Sequence, residues 1–249
     1  MDFIVLTYDD RLSFTELMIR SYLDFFPKFD ITFNIPYNND ETLRKIKLLP
    51  GNITPIKCKK EMKPTMSALL GSIPDNKFVY WCSDDRYVAS FKDAQRFRKI
   101  SKTLSNNASV NLDAVRTLTI PAQHRRNVKI KLDKNLVLFK FSDSVVHGFW
   151  NHHFIRCKWL KDIFINNNLP ENYELRDLHK LMGNRNKQYN HRIYTVGSSI
   201  CVFGETTYHD KMTINCRKAM NKYGIQIPEY PSDNIKIFFD GRPRLTRVK

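Results

Sequence analysis

Phe78-Val79-Tyr80-Trp81-Cys82-Ser83-Asp84-Asp85-Arg86 is an apolar, aromatic run that ends abruptly in two adjacent carboxylates. An uninterrupted apolar stretch of this length reads as a strand buried on both faces. Its acids then stand at the C-terminal end of the strand. In an open α/β sheet that edge is where ligands bind, at the point where the strand order reverses, and carboxylate oxygens placed there can hold a divalent cation against substrate phosphates. Taken alone, the same residues also read as a strand followed by an acidic turn, since Asp initiates turns well. The rest of the chain has to decide between the two.

Working outward, residues 4–6 read as a first strand, and 13–26 carry apolar residues at helical spacing until Pro27 stops them. Residues 31–35, closed by Pro36, and 53–56 read as further strands, with a short helix over 65–70 behind Pro64. Strands alternating with helices predict an α/β fold, a mixed and mostly parallel sheet with helices on both faces. Beyond the central strand, 91–104 reads as a basic amphipathic helix, 115–120 and 136–141 as strands, and 193–203 as one strand-like stretch. Helices are expected over 159–165, 175–182 and 214–223, the last ended by Gly224. With no internal repeat, low-complexity segment or Gly/Ser linker, a single domain is expected over 1–227, followed by a Pro-rich, basic tail over 228–249.

Composition sets the outer bounds. The 249 residues, 42% of them hydrophobic, suffice for one sizeable core. Five scattered cysteines without a CxxC pair fit neither a disulfide framework nor a structural zinc site. The opening Asp2-Phe3-Ile4-Val5-Leu6 lacks the pattern of a signal peptide and no run reaches membrane-spanning length, so a cytoplasmic protein is expected. Neither a Walker loop nor GxGxxG occurs, which disfavours ATP hydrolysis and dinucleotide redox chemistry. Against 25 acidic residues stand 41 Lys and Arg, a net charge of +16, with clusters at 57–63, 124–131 and 185–187 and in the tail. Such patches suit nucleic acid, an anionic lipid surface or nucleotide phosphates, and equally a solvated surface.

Four motifs, in this order, resemble a glycosyltransferase of the GT-A fold, in the broad family-2-like group. Val5-Leu6-Thr7-Tyr8-Asp9-Asp10-Arg11 is similar to the family's opening strand and base-binding loop. Tyr80-Trp81-Cys82-Ser83-Asp84-Asp85 looks like its metal-binding Asp-x-Asp, with Ser83 where the first acid usually stands. The stretch from Phe149-Trp150-Asn151 to Leu160, with Leu169-Pro170-Glu171-Asn172-Tyr173-Glu174 after it, is similar to an acceptor-side segment. Gly204-Glu205-Thr206-Thr207-Tyr208-His209-Asp210-Lys211 falls where relatives fold a late loop over the diphosphate. The resemblance implies a nucleotide-sugar half over 1–90, an acceptor half over 91–227, and a nucleotide-sugar donor, a UDP-sugar first. It also implies Mn²⁺ or Mg²⁺ as cofactor.

Sugar transfer from a nucleoside diphosphate needs the leaving charge neutralised, the anomeric carbon held near an acceptor hydroxyl, and a base for that hydroxyl's proton. Asp85 and Asp84 are the expected metal ligands with His209 as a third, and Arg86 and Lys211 are the expected cations beside them. Thr7, Tyr8, Asp9 and Arg11 would meet base and ribose, although they also read as a capped strand-end turn. Glu174 and Asp177, at i and i+3 on a helix head, are the candidate bases, and equally helix-start acids that complement the dipole. His147, His152 and His153 read as an acceptor wall around Trp150, itself core or a sugar-stacking platform. The acceptor is expected to be a glycan, a lipid-linked sugar or, given the charge, nucleic acid. The alternative is a nucleic-acid-binding protein whose acid pair is only a turn.

Overall fold

The chain is described by a computed structural model that covers residues 1–27, 29–106, 111–119, 125–133, 136–141, 151–174, 177–178, 192–240 and 243–247. Strand β4 (Phe78–Ser83) is buried at every position near the middle of a nine-stranded sheet. On one flank β1 (Asp2–Leu6), β2 (Thr32–Tyr37) and β3 (Asn52–Lys57) continue it in the order β3-β2-β1-β4, all parallel. On the other flank the order continues through β9 (His153–Arg156), β6 (Ala114–Arg116), β10 (Ile193–Val196), β8 (Leu136–Phe141) and β7 (Arg125–Asp133). Strands β9 and β8 run against the rest of the sheet, which shares one direction. The mixed, mostly parallel sheet is therefore the one the strand and helix alternation predicts.

Period-2 alternation along β4 divides its side chains between two cores. Phe78, Tyr80 and Cys82 face one cluster, with Phe97, Ile100 and Leu104 of α4 (Ala94–Asn106) and Tyr22 of α1 (Leu12–Phe25). Val79 and Trp81 face the other, with Leu69 of α3 (Met62–Leu70) and Leu160 and Phe164 of α5 (Cys157–Phe164). The rings of Tyr80 and Phe97 cross edge to face at 5.1 Å, and each such buried side chain contributes about 1.5–3 kcal/mol.

A second, antiparallel sheet has the order β15 (Pro243–Arg247), β14 (Ile235–Phe239), β11 (Cys201–Glu205), β5 (Arg86–Phe91). Helix α1 is wedged between the two sheets and is apolar on both flanks, as a buried helix must be. Its Met18, Ile19 and Tyr22 pack on the large sheet, while Phe14 and Leu17 meet Tyr87, Met212 and Met220. Met220 belongs to α6 (Ile214–Lys222), capped by the Thr213 hydroxyl accepting the Cys216 N–H and closed by Gly224 at φ +64°. A short helix α2 (Asp40–Ile46) is capped in the same way, Asn39 accepting the Thr42 N–H at 2.8 Å. Two-residue strands β12 (Thr207–Tyr208) and β13 (Lys211–Met212) make a small hairpin. Among the described residues no helix is long and apolar enough to cross a membrane.

Two sequence expectations change. The stretch 193–203 is two strands in different sheets, because Gly197-Ser198-Ser199 turns the chain between β10 and β11. The segment after Pro228 is more than a tail: Ile235 and Ile237 alternate into the core and β14 pairs with β11.

Candidate functional site

Because β1, β2 and β3 are parallel, their following loops meet on one edge. Thr7 and Tyr8 after β1, Asn38 after β2 and Lys59 and Lys60 after β3 line a cavity of about 930 Å³. Asn172, Tyr173 and Glu174 reach it from the C-terminal half of the chain. Its size suits a small-molecule ligand. Tyr8 is 43% exposed, an aromatic ring left open on the wall, and burial pushes its hydroxyl above the ordinary range, so it stays a neutral donor. Asp9 also lines the cavity and accepts a hydrogen bond from Asn39 at 3.0 Å. The wall is mixed in charge, Arg11, Lys59 and Lys60 against Asp9, Asp10, Glu61 and Glu174.

Arg11 lies between this cavity and the acid pair at the end of β4. Its Nε donates to Asp84 Oδ1 at 2.9 Å, and its Nη2 to Asp85 Oδ1 at 2.7 Å and to Thr206 Oγ1 at 3.4 Å. The guanidinium also lies 4.9 Å from the Phe14 ring centroid. Asp84 is buried, and its second oxygen accepts from Thr7 at 2.8 Å, Thr7 in turn accepting from Thr15 at 2.7 Å. Burial pushes the Asp84 carboxyl up, against the opposing pull of Arg11 and Thr7. The Asp85 side chain is 47% exposed, and its backbone carbonyl accepts the Thr206 N–H.

The implied divalent cation can be tested against this donor set. Both Asp84 oxygens and Asp85 Oδ1 are engaged by Arg11 and Thr7, so the space between the carboxylates holds a guanidinium. Among the described residues no three His, Cys, Asp or Glu side chains come together as a metal cluster. The residues present form an arginine fork that leaves only Asp85 Oδ2 for a cation, and so do not fit a resident Mn²⁺ or Mg²⁺ held between the two carboxylates.

The other expected site residues divide clearly. Arg86 points into the second sheet, where it pairs with Glu205 at 3.0 Å, bonds Asn151 and lies 4.1 Å over the Phe239 ring. His209 and Asp210 take the left-handed conformation, φ 47° and 58°, at the tip of the β12–β13 hairpin, where His209 packs on Tyr208. Lys211 follows on the same exposed hairpin, and none of these three lines the cavity. Glu174 does line it. The Asp177 carboxylate instead accepts the Glu174 backbone N–H at 3.3 Å, a local cap at the head of the helical turn.

His152 and His153 are core residues and make no acceptor wall. Neighbours on a strand face opposite sides, and at the start of β9 both sides are covered. His152 bridges the Ser83 carbonyl at 2.8 Å and the Tyr22 hydroxyl at 2.9 Å, and burial drives both imidazoles down to about 3. His147, Phe149 and Trp150, and most of the helix expected over 175–182, lie outside the described residues. Sequence reasoning noticed Lys59 and Lys60 only as part of a charge cluster. The signal that places them is their position just after a parallel strand, at the same edge as Tyr8.

No protein-family model matches the chain, and no curated protein sequence matches it. Solved structures similar to it in overall fold include 4-diphosphocytidyl-2C-methyl-D-erythritol synthase from Anaerococcus prevotii, at 16% identity and TM-score 0.46, covering 90% of this chain and 97% of that one. An active-site variant of LgtC is similar at 12% identity and TM-score 0.45, covering 92% and 98%. The galactosyltransferase LgtC in complex with donor and acceptor sugar analogs is similar at 11% identity and TM-score 0.41, again covering 92% and 98%.

Proposed function

We propose that this protein is a glycosyltransferase that moves a sugar from a nucleoside-diphosphate sugar, a UDP-sugar first, to an acceptor hydroxyl. The observation that carries this reading is the cavity at the C-terminal ends of three parallel strands, with an open aromatic ring and both basic and acidic side chains on its wall. Tyr8 stacks on the base and Asp9 accepts a ribose hydroxyl. Lys59, Lys60 and Arg11 face the diphosphate and take up its charge as it leaves. Glu174 accepts the proton of the acceptor hydroxyl. The acceptor oxygen bonds to the anomeric carbon as the bond from that carbon to the phosphate oxygen breaks. The electron pair departs with the diphosphate, and the anomeric centre inverts.

The test is release of nucleoside diphosphate from a panel of nucleotide sugars, each with glycan, lipid-linked and DNA acceptors. Acceptor-dependent release from at least one donor is expected. If no donor and acceptor pair raises release above the protein-free rate, and no nucleoside diphosphate binds, the reading falls.

A further inference from the structure

Arg11 is the residue through which the cavity communicates with the acid pair. It lines the cavity, whereas Asp84 and Asp85 do not, so of the three it is the one within reach of an anion bound there. A guanidinium has five N–H donors in a rigid fork. One, on Nε, goes to Asp84, and the two on Nη2 go to Asp85 and Thr206. Among the described residues the Nη1 pair enters none of these bonds, which leaves two donors for phosphate oxygens. The fork is fixed from behind by the Thr15, Thr7 and Asp84 relay and from the side by the Phe14 ring, so little rotamer freedom remains to be lost on binding.

The same geometry explains why two acids stand at this strand end without a third ligand. Their oxygens orient the planar guanidinium, a task that two carboxylates complete, whereas a divalent ion held by the pair needs free carboxylate oxygens and would have to displace Arg11 to reach Asp84 Oδ1 and Asp85 Oδ1. We infer that Arg11, held by Asp84 and Asp85, supplies the positive charge that a divalent cation would supply at such a strand end, so that the diphosphate of a nucleotide donor is bound without metal. This rests on the nucleotide reading of the cavity.

The experiment is calorimetric titration of metal-stripped protein with UDP, in EDTA and in Mn²⁺. The two dissociation constants are expected to agree within about threefold, and Arg11→Met to weaken binding in EDTA by at least ~10-fold. Should Arg11→Met not fold, Arg11→Met/Asp84→Asn, which removes the buried charge left without its partner, is titrated in its place. Binding by the wild type only when Mn²⁺ is present overturns the inference and leaves the proposed function standing. Undiminished affinity of the Arg11 variant in EDTA also overturns it. Absence of UDP binding under both conditions overturns the nucleotide reading itself, and the inference with it.

Discussion

On one side of the acid pair the polar groups are consumed by the protein, and on the other they face a cavity. Behind it, Arg86 is held by Glu205, Asn151 and Phe239, Thr206 bonds the Asp85 backbone, and His152 is clamped between Ser83 and Tyr22. In front, Tyr8, Lys59, Lys60 and Glu174 stand around open volume. Residues next to each other in one motif thus serve opposite ends. Asp84, Asp85 and Arg86 read alike as site residues, yet Arg86 ties the second sheet down while its two neighbours aim Arg11.

The sharpest way to break this division is Glu174→Gln. The amide keeps the shape of the wall but takes no proton, so turnover should fall by ~10²–10⁴-fold with donor affinity retained. Asp177→Asn should cost far less, since that carboxylate caps the Glu174 backbone. Turnover kept in the Glu174 variant and lost in the Asp177 variant would move the base to the cap. Next in size is Arg86→Met, which strands the Glu205 carboxylate in a largely buried position and should lower unfolding free energy by about 3 kcal/mol in urea, with donor affinity unchanged. A loss of donor affinity without a loss of stability would put Arg86 on the cavity side after all.

The parallel half was readable because strands covered on both faces are continuous apolar runs, as in 78–82, and because Pro27 marks the end of α1. The second sheet was not. Arg86–Phe91 follows the acid turn directly and mixes polar with apolar residues, and Ile235–Phe239 sits among prolines and charges that read as a tail despite the alternation of Ile235 and Ile237. In the site, Tyr8 and Asp9 could be placed from the end of β1. The bridge from Arg11 to Asp84 and Asp85 spans 73 and 74 residues, and only the β1–β4 pairing brings its ends together.

The consumed side also has a pH signature. His152 and His153 titrate near 3 in the fold and near 6.5 when unfolded, so the unfolded chain binds more protons between those values. Their contribution is complete above about 6.5 and is lost as pH falls toward 3, with a slope of up to ~1.4 kcal/mol per pH unit for each. Urea midpoints at pH 7 and pH 5 should show the loss, and His152→Asn should flatten it. An equally steep loss in that variant would assign the slope to other groups. The smallest effect expected is on the open side: Lys59→Ala should weaken nucleotide binding a few-fold, with reduced salt dependence and unchanged stability. A variant that binds as the wild type does at low salt would remove Lys59 from the phosphate side.

The most direct test of the cavity as the nucleotide site uses a thiol already in its wall. Cys58 lines the cavity and is half-buried, while Cys82, Cys157, Cys201 and Cys216 are buried. Burial raises the Cys58 thiol, so alkylation by a maleimide at mildly alkaline pH, followed by intact mass, should proceed slowly to a single adduct. With saturating UDP the account predicts that formation of this adduct slows several-fold. An unchanged rate at a UDP concentration shown to bind would place the nucleotide elsewhere and contradict it.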